Sequence, residues 1–403
     1  MGTGEAKKSD GSGRWLLIII GTGLLAQTAL NLIRPVTTYK LLSLGADSLV
    51  VGLVTAAYAL LPLFCAMWLG RASARVKNIR LLMLLGTVLL SVAAAGIALS
   101  PSLWAVAACS ALLGMGHLIF TIGGQSSIAR FFPDDQLDKC FGWFTASYSA
   151  GQFLGPLIAG GILGTATEVP QAQRVADIGL ALWLAAACAL LAVPLLAPNF
   201  QPPPLGNALT PSDRKQAGLL GILRIRSMPS HMLASMTLLA AIDILTAFLP
   251  LVAERHLVAP ATVGLLLAVR GVASVLSRLI LPWISGRLKR QTMLLISLFG
   301  AAATLGLAPV LIEHALAASL ALFVGGFCLG LGQPVTMTMV STSVPSQDRG
   351  AALAVRLMGN RLGQVVLPLA AGATTVGAGP AGAIWFCCGL LALSGVEKAI
   401  RRT

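Results

Sequence analysis

Charge is what this chain has least of. Of its 403 residues only 10% are charged, and 14 are Asp or Glu. A water-soluble domain carries about 25% charged residues. A chain this poor in charge, 56% hydrophobic and with a mean hydropathy of +0.85, is therefore not built to be surrounded by water. The 7 cysteines (Cys65, Cys109, Cys140, Cys188, Cys328, Cys387 and Cys388) all fall in or beside apolar runs. None of their spacings suits a metal site, so they read as small buried hydrophobes. A nucleophile–base pair and a glycine-rich phosphate loop are missing too. That argues against an enzyme or membrane-bound sensor, and no cofactor or metal is expected. Period-two alternation is also missing, which argues against a membrane barrel. A cleavable leader is not expected, because the first apolar run is too long for one and continues into Asn31 and Arg34.

What the chain does have is long apolar runs. A helix needs about 20 such residues to cross a bilayer. Twelve runs qualify: 15–41, 48–69, 80–99, 103–128, 140–164, 176–198, 231–252, 260–284, 292–311, 316–342, 351–373 and 378–398. Residues 1–14 are polar and rich in Gly and Ser, and read as a disordered arm. Residues 199–230 form the one long connection. It opens with Pro202-Pro203-Pro204 and holds an apolar stretch, Ala217 to Ile225, suited to a short helix on the membrane surface.

The two sides of these spans differ in charge. The net charge of +14 is not a nucleic-acid patch. With twelve spans, nearly all Lys and Arg outside them fall on one side, among them Arg71, Arg75, Lys77, Arg130, Arg287, Lys289 and Arg349. Lys40, Arg174 and Arg255 fall on the other. The positive-inside rule then places both termini in the cytoplasm.

The halves repeat. An offset of 212 carries Gly52 onto Gly264, Arg75 onto Arg287, Pro133 onto Pro345 and Gln152 onto Gln364. One fold used twice in a membrane chain is the build of secondary transporters, with the substrate site at the repeat interface. The expected fold is an all-α membrane protein: twelve transmembrane helices in two pseudo-symmetric six-helix bundles, 15–198 and 231–403.

Several motifs sharpen this. In the fifth span Gly142, Gly151, Gly155-Pro156 and Ala159-Gly160 follow one another, with a weaker echo at Gly363, Pro368 and Gly372. The loop Gly70-Arg71-Ala72-Ser73-Ala74-Arg75-Val76-Lys77 follows the second span, and Gly330-Leu331-Gly332-Gln333-Pro334 lies in the tenth. Together these resemble the major facilitator superfamily over nearly the whole chain, and the fifth-span pattern resembles its exporters. The loop departs from the family pattern by carrying Ala74 where an Asp is usual. The fourth span carries Ser110 where drug-exporting relatives have an arginine. The resemblance implies a multi-pass protein of a bacterial inner membrane, monomeric, working by alternating access. It also implies that spans one, four, seven and ten line the central cleft.

Polar groups inside the spans are the candidate site. An ionisable group in hydrocarbon costs several kcal/mol and is a functional candidate by default. Asp243 is the single deep acid, about 18 Å into its span. It is the expected proton-coupling group, with His117 second. Gln27, Asn31 and Arg34 share one helical face, as do Arg356, Asn360 and Gln364, with Arg361 beside them. Gln27, Asn31, Arg34, Arg270, Gln333, Asn360, Arg361 and Gln364 are the expected cargo-binding residues. The glycines and Pro156 of the fifth span, with Gly70, Arg75 and Arg287, are expected to serve conformational change. Deep arginines outnumber the acid, so the cargo should be a small molecule carrying a negative group. Proton-coupled export of a small amphipathic or anionic compound is the first expectation. Proton-coupled uptake of an anionic metabolite or siderophore-like compound is the alternative.

Overall fold

In the computed structural model of the chain, residues 2–76, 78–132, 134–166, 169–196, 219–225, 227–344 and 349–400 are described. Among them every regular element is a helix: α1 (Gly2–Ser43), α2 (Ser48–Arg75), α3 (Ile79–Leu99), α4 (Leu103–Phe131), α5 (Asp134–Leu163), α6 (Gln171–Leu190), α7 (Ala192–Leu196), α8 (Leu219–Leu223), α9 (Met228–Arg255), α10 (Pro260–Ser285), α11 (Arg290–Leu307), α12 (Ala315–Thr342) and α13 (Arg349–Ile400). Lipid offers no partner for a backbone amide, so each span bonds its own backbone.

Ten of these helices are long and apolar enough to cross a membrane. One of the ten, α13, holds two of the expected spans. Its backbone leaves the helical region at Gly379, with φ 67° and ψ −173°. A positive φ of this kind suits a residue without Cβ, and Pro380 then starts the next helix. The fifth span, α5, falls outside the ten because Gly, Ser, Tyr148 and Gln152 dilute its uncharged stretch 140–163. Each of the twelve apolar runs thus has its helix.

Helix boundaries differ in two places. α1 starts at Gly2, running through the arm expected to be disordered; Glu5, Ala6, Lys7 and Lys8 are good helix formers. The sixth run divides into α6 and α7 at Leu191. Of the central connection, 199–218 lies outside the described residues. Its apolar stretch does contain a short helix, α8, and Ile222 there is buried with Met228, Val340, Val344 and Val355 beneath the second half.

The repeat is physical as well as textual. α1–α6 pack among themselves, as do α9–α13, and α2 lies against α13 while α5 lies against α10. These two cross-half pairs are related by the 212 offset. A Cβ on Gly52 of α2 would come within 2.6 Å of the carbonyl oxygen of Pro368 and 3.1 Å of the Cα of Gly372. A Cβ on Gly264 of α10 would come within 2.4 Å of the oxygen of Pro156 and 2.7 Å of the Cα of Gly160. Between lipid-soluble helices, close backbone approach of this sort supplies the packing energy that the hydrophobic effect no longer gives.

Candidate functional site

The helices bring most of the expected polar residues together in the interior between the two halves. Asp243, on α9, is 3% exposed and holds two partners. Arg34, on α1 of the other half, donates from Nη2 to Oδ1 at 2.5 Å. Gln364, on α13, donates from Nε2 to Oδ2 at 2.6 Å. Arg361, one turn earlier on α13, donates from Nη1 to Oε1 of Gln364 at 3.0 Å. Charge-assisted bonds to both oxygens offset the desolvation of the carboxylate.

The facing wall comes from the first half and is largely neutral. His117, on α4, bonds the phenol of Tyr58 through Nδ1 at 2.6 Å and Gln27 through Nε2 at 2.9 Å. The guanidinium of Arg34 lies 5.1 Å from the centre of the Tyr58 ring, an attractive cation–π contact. Tyr148, on α5, shares a hydrogen bond with Thr121 at 2.9 Å. Sequence reasoning passed over Tyr58, Tyr148 and Thr121. The repeat offered a signal for all three, since the offset of 212 carries them onto Arg270, Asn360 and Gln333.

Arg270 differs from the other arginines. It is 2% exposed, and its Nε and Nη1 have no hydrogen-bond partner. Asp243 and Arg34 are its electrostatic neighbours. Asp243 is already bound on both oxygens, so this guanidinium sits beside the acid without neutralisation of its own. Asn360, on α13, is 4% exposed and its Oδ1 also has no partner.

Other expected residues are engaged in holding helices together. Asn31 donates to the carbonyl of Gln27 at 2.8 Å and lies under Gly155, where a Cβ would reach its backbone at 2.6 Å. Gly151 sits the same way on Gln27. These two glycines of the fifth span therefore seat α5 on α1, whereas Gly160 meets α10 and Gly142 faces open space. Gln333 donates to the carbonyl of Ser235 at 3.1 Å and accepts from Arg356 at 2.7 Å, a clip between α9, α12 and α13. Arg278 of α10 donates to Ser149 of α5 at 2.6 Å. Arg287 stacks over Trp283 at 3.7 Å. Arg75 ends α2, and the surroundings of Gly70 and Arg75, like Lys77 and the loop 345–348, lie outside what is described.

The cleft is closed at one end. There, away from the basic loops, Thr38 donates to the carbonyl of Ala247 at 3.1 Å, and the amide of Ala261 donates to the carbonyl of Gly164 at 3.0 Å. Arg174 and Glu254 form an ion pair at the same rim. Between this closure and the Arg34–Asp243 pair is a cavity of about 30 Å³ lined in part by Thr37, Thr38 and Ser110, room for water rather than cargo. Toward the basic end the halves part. Gln125, two turns below His117 on the same face of α4, is exposed, and its repeat counterpart Met337 is 49% exposed.

A family model described as Major Facilitator Superfamily matches residues 19–257 and 232–401. No curated protein matches. Among solved structures the chain is similar to the nucleoside transporter NupG, with TM-score 0.74 and 13% identity over 96% of this chain and 99% of that one. It is similar to a D-xylose-proton symporter, with TM-score 0.73 and 15% identity over 96% of each chain. It is also similar to a bacterial homolog of the human lysosomal transporter Spinster, with TM-score 0.75 and 15% identity over 96% of this chain and 95% of that one. At such identities the likeness is one of fold. The chain belongs to the major facilitator superfamily, and its two six-helix halves around a polar cleft are those of a secondary transporter.

Proposed function

We propose that this transporter couples protons to the movement of a small organic anion. Asp243 carries the proton, and Arg34, Arg270 and Arg361 hold the anion. One observation supports this above all others: Arg270 is a buried guanidinium with two nitrogens unbonded beside an acid that is already taken. An unpaired buried charge is strongly unfavourable, and an arriving carboxylate or phosphate relieves it. Bundles 15–198 and 231–403, joined by 199–230, rock about the cleft in a monomer of a bacterial inner membrane, with both termini in the cytoplasm. In this orientation the state seen here faces inward.

The network also bears on direction. A proton on Asp243 removes the charge that holds Arg34, so the freed guanidinium becomes available to the cargo. Proton and anion then favour one another's binding, and coupling of this kind is reciprocal. Two ligands that bind together travel together. Geometry thus favours symport, which is uptake under an inward proton gradient, over the exchange that export requires. Export keeps one support, the likeness of Gly151, Gly155 and Gly160 to the fifth span of exporters. Proteoliposomes under an imposed pH gradient separate the two. Symport drives a labelled anion to the proton-poor side, and exchange drives it to the proton-rich side. Flux of anions that ignores the pH gradient would refute the coupling altogether.

A further inference from the structure

The two walls of the cleft are chemically unlike. The first half supplies rings. Tyr58 and His117 have centroids 6.2 Å apart with 23° between their planes. His117 and Tyr148 follow at 6.2 Å, and Tyr148 and Phe144 at 4.6 Å. The whole chain has 3 tyrosines, and this wall takes two of them. The rings come from α2, α4 and α5, so the wall is assembled by tertiary packing. The offset of 212 shows how specific it is: the same positions in the second half are Arg270, Leu329, Asn360 and Arg356. Rings on one side thus meet guanidinium and amide groups on the other.

The polar edges of the rings are already satisfied within the wall. Tyr58 bonds His117, His117 bonds Gln27, and Tyr148 bonds Thr121. That leaves ring faces to be presented to a ligand. His117 and Tyr148 are half-buried, not sealed, and Arg361 lies within reach of the Tyr58 phenol. Ring faces near Arg361, with the unbonded Arg270 on the same opposing half, define a two-part receptor.

We infer that the cargo is an aromatic carboxylate. Its ring packs against His117 and Tyr148, and its carboxylate bridges toward Arg270 and Arg361. The inference rests on the anion reading above and narrows it. A ring gains geometry-dependent attraction from neighbouring rings beyond its area, and a carboxylate matches the guanidinium fork. A saturated acid meets only the second requirement, and an aromatic amide only the first.

Calorimetric binding to the purified full-length protein tests this with matched probes: benzoate and 2-naphthoate, their fully saturated carboxylates, and benzamide and 2-naphthamide. The expected result is binding of an aromatic acid about 5–10-fold tighter than its saturated partner, and more than about tenfold tighter than its amide. In Tyr148→Leu the aromatic-to-saturated affinity ratio falls toward one, and in Tyr148→Phe it is kept. Should Tyr148→Leu not fold, the ratio in the unmodified protein still decides. Equal binding of aromatic and saturated acids, or no binding of either aromatic acid, overturns the aromatic assignment and leaves the anion reading in place. Amides that match their acids overturn the anion reading itself.

Discussion

Arg34 and Asp243 join the two halves of the transporter in its buried interior, guanidinium to carboxylate across 2.5 Å. One comes from the first helix of the first bundle and the other from the first helix of the second. The repeat explains their common depth, since the counterpart of Asp243 is Asn31, one turn before Arg34. The pair spans the surface along which the bundles must move, so its charge state and the movement are linked.

Asp243→Asn keeps the shape of this contact and removes its charge. Arg34 retains an oxygen to bond, the new amide NH2 faces Gln364, and no proton is carried. Gradient-driven accumulation of cargo is expected to drop more than about tenfold, a loss of over 1.4 kcal/mol of coupling. Exchange of labelled for unlabelled cargo across the same vesicles should continue. Accumulation at the unmodified level would show that another group carries the proton.

Arg270→Met separates stability from function. It replaces an unpaired buried charge with an apolar side chain of similar length. Thermal unfolding in detergent should therefore shift upward, by an amount on the order of 1–3 kcal/mol. Anion affinity should fall at least about tenfold, the usual scale for losing a charge-assisted bond to a ligand. A lower melting temperature together with intact binding would mean that the guanidinium is structural.

Gly264→Leu reports on the closed end. Its Cβ would lie 2.4 Å from the carbonyl oxygen of Pro156, a backbone atom that cannot swing aside. The α5–α10 contact should open, exposing the sealed face of α1. In a cysteine-free background, a cysteine placed at Thr38, now 2% exposed, should react several-fold faster with a membrane-impermeant maleimide. Gly52→Leu should do the same, because its Cβ meets Pro368 in the mirror position. Unchanged labelling in both would deny these glycines a part in closure.

Much of the fold was legible before any coordinates. Spans can be read because lipid imposes a length and a polarity on each, residue by residue. The repeat can be read because duplicated backbones keep their register. Depth is legible too: Arg34, Asp243, Arg270 and Arg361 all stand far from the ends of their runs. Boundaries were less so. Gly379 breaks α13 through its backbone conformation at the start of the run 378–398, and hydropathy separates the two runs without fixing the residue that turns. The arm before residue 15 continues α1, although its Gly and Ser content reads as disordered.

Sequence by itself determined which residues lie in the membrane, how deep they sit and which helical face they share, because all three follow from rise and periodicity along a single helix. Tertiary structure decided who meets whom. It gave Asp243 to Arg34 and Gln364 and left Arg270 without a partner. It turned Asn31 and Gln333 to bracing neighbouring helices, and it gathered Tyr58, His117 and Tyr148 into one wall. Those outcomes depend on the angles and spacings between helices, which close glycine contacts set and which no local pattern encodes.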